Sequence, residues 1–274
     1  MPSTSPESAY FQRYREPVAP TATAWNDTLD VLLNHRSVRA FAPTPVPDGT
    51  LETLVAAASS APTSSNKQFW SVVSVEAAGT RAELAKLAGN QAFVAESPML
   101  LMWLADLSRI AAVGEAQGVT LEGLDYTESF LVGAMDAAFA AQNAVVAAEA
   151  MGLSTVYVGA MRNHPVEVAR LLGLPPRCFA VFGMCIGYAD ADTPTAVKPR
   201  LPQDAVLHRE RYDAATAQAA LERYESHAQA FRREQGQSDQ RWSHHIMSRV
   251  RDAQALKGRD LLRQALQTLG FEMK

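Results

Sequence analysis

Two short basic clusters carry most of the chemistry that this sequence displays. The first is HRSVRAF at 35–41. It follows a segment of helical pattern, and helical spacing puts Arg36 and Arg39, three apart, on one face, with His35 four residues from Arg39. Joined by the Ser37 hydroxyl, forked guanidinium donors of this kind can hold an anion. The same residues would also serve simply to complement a helix C-terminus. The second cluster is Lys198-Pro199-Arg200, on a backbone stiffened by prolines after an apolar run. It suits a phosphate clamp, and it equally suits an ordinary exposed loop. Neutral donors and acceptors come from Thr63, Ser64, Ser65, Asn66 and Gln68 and from Asn90-Gln91, each of which also fits common turn chemistry.

Several familiar signatures are missing. No G-x-G-x-x-G follows a strand, and there is no G-x-x-x-x-G-K-[ST], G-x-S-x-G or H-E-x-x-H. His244 and His245 are adjacent and so do not face one ligand, and no metal site is expected. The two cysteines lie in CFAVFGMC at 178–185. As strand residues they would sit on opposite faces, about 23 Å apart, too far to bridge. Both read as small core residues of a reducing compartment.

Composition narrows the class further. The 274 residues are 47% hydrophobic and 20% charged, with a net charge of −4. Whole-chain disorder is excluded, and a nucleic-acid partner, which calls for a basic surplus, is not expected. The most apolar stretch, 133–152, is interrupted by Asp136, Gln142, Asn143 and Glu149, so no bilayer span is expected. The N-terminus lacks an apolar signal core, which points to the cytoplasm.

The elements that must position these groups can be read from periodicity and punctuation. Residues 1–24, rich in Pro, Ser, Thr and Ala, read as an extended arm or disordered tail. A helix starts at Asn26 or Asp27 and runs to 34, with acid near its N-terminus. Apolar runs at 69–76, 99–106, 154–161 and 178–188 read as strands, that at 99–106 as a buried central one. Helices are expected at 80–88, 133–151 and 165–173, the second apolar on nearly every side and lined with small residues. Residues 111–125 are ambiguous. From 205 to 274 the chain reads as a helical extension, with helices over 210–234 and 258–269, and the class is α/β or α+β in one domain from residue 25.

In order along the chain, HRSVR, the serine-rich loop ending in Gln68, Gly89-Asn90-Gln91, AQNAVVAAEAMGL (141–153), VYVGAMRN (156–163), FGMCIGYADAD (182–192) and KPRLP (198–202) form a pattern. The chain resembles the nitroreductase family, most closely its oxygen-insensitive, NADPH-dependent nitroreductase and flavin-reductase branch, over 29–271. The resemblance implies an α+β fold with a central, mostly antiparallel sheet flanked by helices, and a homodimer with a long interface helix at 133–151. It implies FMN as cofactor and NADPH or NADH as reductant. His35, Arg36, Ser37, Arg39, Lys198 and Arg200 match the residues around the phosphate, ribityl chain and pyrimidine edge. Thr63, Ser65, Gln68 and Gln91 match polar flavin contacts. Tyr157, Val158, Gly159, Ala160 and Arg162 match the strand end beside the flavin, with Ala160 where a second glycine is usual. Arg259 matches a 2′-phosphate ligand of NADPH. A second basic stretch is reduced here to Arg241 beside Asp239, which implies a weakened NADPH preference. No side chain is needed as nucleophile or dedicated acid, because the chemistry belongs to FMN. The implied activity is ping-pong hydride transfer to small-molecule acceptors such as nitroaromatics, quinones or free flavin. A specialised flavin reductase, a reductive dehalogenase or a non-catalytic flavin-binding protein are alternatives on the same fold.

Overall fold

The structure, a computed structural model, describes residues 5–18 and 24–274. Its helices in chain order are α1 (Pro6–Tyr14), α2 (Asp27–Asn34), α3 (Thr50–Ser59), α4 (Ala78–Leu87), α5 (Ala92–Glu96), α6 (Ser108–Ala116), α7 (Thr127–Ala150), α8 (Pro165–Leu172), α9 (Ala214–Glu234), α10 (Trp242–Val250) and α11 (Leu262–Thr268). The strands are β1 (Trp70–Ser74), β2 (Met99–Asp106), β3 (Ser154–Val158) and β4 (Cys178–Gly187). The chain divides into two compact units, each built from separated stretches: Met1–Arg36 with Thr195–Ala255, and Ser37–Pro194 with Leu256–Lys274. The 205–274 stretch, read from sequence as one extension of a single domain, is thus shared between the two.

The first unit is helical. Of the arm at 1–24, residues 1–4 and 19–23 lie outside the described residues. Within the rest, 6–14 form α1 rather than an extended segment. Ser5 caps it by accepting from the Ser8 N–H, and Pro6 occupies the first turn, where a missing N–H is harmless. Tyr10 packs edge-on against Trp25 with ring centroids 5.8 Å apart. Asn26 caps α2 through the Leu29 N–H at 3.0 Å. In α9, Asp213 caps Ala215 and Thr216, and Ala220, Tyr224, Ala228 and Phe231 form the buried stripe at helical spacing.

The second unit holds the sheet, ordered β1-β2-β4-β3, with every pair antiparallel. The unbroken apolar run of β2 lies inside the sheet, where both faces are covered. Leu100, Met102 and Leu104 point into one core with Leu84, Val94 and Val168 from α4, α5 and α8. Leu101 and Trp103 point into the other, against Leu54 of α3 and the alanines of α7. The ambiguous 111–125 region resolves into the end of α6 and a 3-10 turn at Glu122–Asp125.

The central pair carries a β-bulge. Trp103 pairs with Phe182 while Leu104 pairs with Ala180, so Val181 is an extra residue in β4. One inserted residue reverses the alternation of side chains beyond it. Cys178 and Cys185, expected on opposite faces, therefore share one face and one core.

Helix α7 packs on the sheet through small residues. A Cβ on Gly133 would lie 3.0 Å from Leu107 Cδ1 and 3.2 Å from the Phe69 carbonyl oxygen. The buried face runs through Val132, Asp136, Ala140, Ala144 and Ala148, four apart. It is not buried all round within one chain, because Leu131, Met135 and Phe139 form an exposed apolar stripe. By length and composition α7 is also the one described helix able to cross a membrane, although it carries Asp136 on its buried face.

At the end of β4, a Cβ on Gly187 would sit 2.6 Å from Cδ of the rigid Pro98 ring and 3.1 Å from Phe41. Gly187→Ala is expected to cost about 1–3 kcal/mol through overpacking, read as a lower melting temperature and denaturation midpoint.

Candidate functional site

The basic segment at 35–41 is not helical. Helix α2 stops at Asn34, and His35 has left it with φ −53° and ψ 133°. From there the chain is stitched to the sheet. Ser37 bridges Thr155 in parallel and Phe41 bridges Ala189. The Val38 N–H donates to Thr155 O at 3.0 Å and the Ala42 N–H to Tyr188 O at 2.9 Å. In extended backbone, side chains alternate. Val38 is fully buried, so the exposed Ser37 and Arg39 share the opposite side. The helical pairing of Arg36 with Arg39 predicted from spacing does not occur, because the register is that of a strand.

The second basic segment repeats this arrangement in the first unit. Pro199 is buried while Lys198 and Arg200 on either side are exposed. Its backbone is held from α9 by the Tyr224 hydroxyl, which donates to Pro199 O at 3.2 Å. Arg200 Nη1 reaches back to Lys198 O at 3.2 Å, and Arg36 Nη1 to Asn34 O at 3.4 Å.

In the second unit, the loop between α3 and β1 is organised by Asp136, one of the polar residues that interrupt the apolar stretch 133–152. Asp136 of α7 is 2% exposed. Its carboxylate accepts from the Thr63 hydroxyl at 2.6 Å, the Phe69 N–H at 3.1 Å and the Ser64 N–H at 3.3 Å. Thr63 Oγ1 in turn accepts from the Gln68 N–H at 2.9 Å. This closes a loop in which Ser65, Asn66 and Gln68 adopt φ of 51°, 55° and 51°, a conformation costly for residues with a Cβ unless the surroundings impose it. Arg109 grips the exit, donating to Gln68 O at 2.6 Å and Trp70 O at 2.7 Å. Thr63 is thereby spent on the loop itself, whereas Ser65 and Gln68 are exposed. The signal for Asp136 was present: one acid on the packed face of an alanine-rich helix requires donors.

Gln91 stands at the N-cap of α5 and donates to Ala88 O at 2.7 Å. Tyr157 packs edge-on against Phe182 at 4.9 Å. Burial, and behind it the Glu149 carboxylate, push the Tyr157 pKa up, so its phenol stays protonated. Val158 is buried, and β3 ends in a 3-10 turn at Gly159–Asn163 that includes Ala160 and Arg162.

Arg162 donates to Val181 O, the carbonyl of the bulged residue. Its guanidinium lies over Gly159, where a Cβ would be 3.2 Å from Nη2. Burial lowers its pKa, and the charge of Arg259 lowers it further. Arg259 Nε donates to Leu256 O at 2.9 Å. Arg241, by contrast, is paired with the buried Glu225 of α9 at 3.2 Å, and the same carboxylate accepts from the Ser243 N–H that opens α10.

A separate cleft of about 340 Å³ is bordered by Asp48, Glu52, Glu76 and Arg81. Three carboxylates to one guanidinium make it a poor phosphate site, and none of the residues singled out in the sequence lines it.

The family model described as "Nitroreductase family" matches residues 32–188, and that described as "Nitroreductase family, C-terminal domain" matches 198–274. The chain belongs to the nitroreductase family. It is 36% identical over 228 residues to the NADPH-flavin oxidoreductase of Vibrio harveyi, covering 82% of this chain and 91% of that protein. It is 34% identical over 251 residues to the FMN reductase (NADPH) of Bacillus subtilis, covering 90% and 98%. The solved structure of B. megaterium NfrA2 matches with a TM-score of 0.85 at 33% identity, covering 91% of this chain and all of that one. The fold is α+β and nitroreductase-like.

Two substitutions test the geometry. Asp136→Ala strands three donors and is expected to lose about 2–4 kcal/mol of stability, measured by denaturant unfolding of the apoprotein. Gly258 has φ +86°, and a Cβ there would meet Asn163 O at 2.7 Å. Gly258→Ala is expected to cost about 1–3 kcal/mol, read as a lower denaturation midpoint.

Proposed function

We propose that the protein is an FMN-dependent NAD(P)H oxidoreductase, a cytoplasmic homodimer that transfers hydride by a ping-pong cycle to nitroaromatics, quinones or free flavin. What supports this reading most directly is the repeated device of a buried residue between two exposed polar ones, Ser37/Arg39 and Lys198/Arg200, in a member of a family whose relatives include an FMN reductase and an NADPH-flavin oxidoreductase.

The donor set fits FMN. A phosphate dianion calls for fixed cations, and Arg36, Lys198 and Arg200 supply them, beside the His35 imidazole, on backbone tied down by hydrogen bonds. A polyhydroxyl chain and a ring edge call for neutral donors and acceptors, which Ser37, Ser65, Gln68 and Gln91 provide. Arg39 adds a cation beside Ser37, and Thr63 holds the loop that presents Ser65 and Gln68. Bound FMN supplies the two-electron hydride chemistry. The 157–160 backbone and the half-buried Arg162 provide fixed donors at the end of β3, where developing negative charge can be stabilised. No side chain acts as a nucleophile.

For the nicotinamide substrate, Arg259 supplies the cation for the 2′-phosphate, on the turn that Gly258 packs against Asn163 O. Arg241 is already neutralised by Glu225. NADPH is therefore preferred over NADH only modestly, and Arg259 carries the preference. The exposed stripe Leu131, Met135 and Phe139 on α7 is the self-complementary surface of the dimer.

The purified protein is expected to be yellow, to bleach anaerobically on addition of NADPH, and to recolour on addition of nitrofurazone. Colour that fails to bleach would instead identify a flavin-binding protein without turnover. Arg259→Ala is expected to raise KM for NADPH about two- to fivefold, erasing the preference over NADH, with a smaller change in kcat, and Arg241→Ala to act less. A strong NADPH preference surviving both changes would overturn the assignment. Phe139→Glu is expected to shift the protein from dimer to monomer by light scattering.

A further inference from the structure

Helix α1 lies outside the 32–188 and 198–274 spans that match the family models. One of its residues nevertheless reaches both basic segments. Arg13 is a charged side chain only 6% exposed. Its Nη2 donates to Leu33 O at 2.7 Å and to His35 O at 2.8 Å, and its Nη1 donates to Lys198 O at 3.0 Å. Its own carbonyl accepts from the Arg200 N–H at 2.8 Å.

These bonds have two consequences. The first is geometric. The planar fork spans three carbonyls at once, joining the end of α2 to the 198–200 loop within one compact unit. His35 and Arg36 thus cannot move independently of Lys198 and Arg200. The second is electrostatic. A helix C-terminus presents unpaired carbonyls and a partial negative charge, the wrong end to offer an anion. Leu33 O and His35 O lie at this end of α2, and Arg13 donates to both. A buried guanidinium on them cancels that potential where the basic cluster begins.

We propose that Arg13 is a positioning residue for the flavin phosphate, holding the 35–36 and 198–200 segments in one frame and neutralising the α2 C-terminus beneath them. The N-terminal helix is then a working part of the cofactor site. This rests on the reading that Arg36, Lys198 and Arg200 hold the phosphate.

The test compares FMN with riboflavin, which lacks the phosphate. Apoproteins of the full-length chain, Arg13→Ala, Arg13→Lys and Arg200→Ala are titrated with each flavin by fluorescence quenching, and their melting temperatures are recorded. Arg13→Ala and Arg200→Ala are each expected to reduce the FMN-over-riboflavin preference at least tenfold. Arg13→Lys, which keeps the charge but loses the fork, is expected to fall between these and the parent. If Arg13→Ala does not fold, Arg13→Lys decides. A lower melting temperature with both flavins weakened equally makes Arg13 a stability residue only and overturns the proposal. So does an unchanged preference in a folded Arg13 variant when Arg200→Ala has lost it. If Arg200→Ala also keeps its preference, the phosphate reading itself fails, and the Arg13 proposal fails with it.

Discussion

A carboxylate buried in an alanine-lined helix face has to be answered by donors, and much of the sheet unit is organised around that demand. Asp136 lies on the side of α7 that packs against the sheet, where Gly133 allows a contact tighter than side chains usually make. Three donors from the loop before β1 converge on it. That convergence sets where the loop begins and ends, and it holds three residues with side chains in left-handed backbone. Leaving the carboxylate unpaired would cost more than the strain, so the strain persists. Helix packing and the shape of a polar loop are therefore one problem, solved by one side chain.

The proportions of the fold that could be read in advance follow from how local their causes are. Asn26 as the cap of α2, the apolar run of β2, and Pro165 and Gly173 bracketing α8 each depend on a few neighbouring residues, and the structure has them there. The α+β class and the family both followed from ordered motifs. What escaped depended on distant partners. The Val181 bulge arises from the pairing of β4 with β2 and has no signature in CFAVFGMC, so the facing of its two cysteines was misread. The segment after Asn34 carries helix-compatible spacing, but its backbone partners are Thr155 and Tyr188, and they draw it into extended form. Helix α1 was hidden in a composition typical of tails, because its stability rests on aromatic packing of Tyr10 and on Arg13 rather than on a wide apolar stripe.

The same distinction applies to the site. Residue types were legible; their availability was not. Thr63, Arg162 and Arg241 all read as ligands, yet each has a defined partner within its own unit: the Asp136 carboxylate, the bulge carbonyl and Glu225. Arg162 keeps donor capacity beside its structural bond, since one guanidinium carries five N–H donors and the bulge carbonyl takes one of its nitrogens. Arg241 shows the opposite case, a cation whose charge is already matched.

The shared facing of the two thiols has a chemical corollary. Burial pushes the Cys178 pKa up to about 12 and the Cys185 pKa up to about 11, the former helped by the nearby Asp106 charge. Neither sulfur forms appreciable thiolate near neutrality, and the thiolate is the species that attacks electrophiles. Both sulfurs are sealed and protonated on one inner face, so an electrophile that reaches the protein's surface meets neither as a nucleophile.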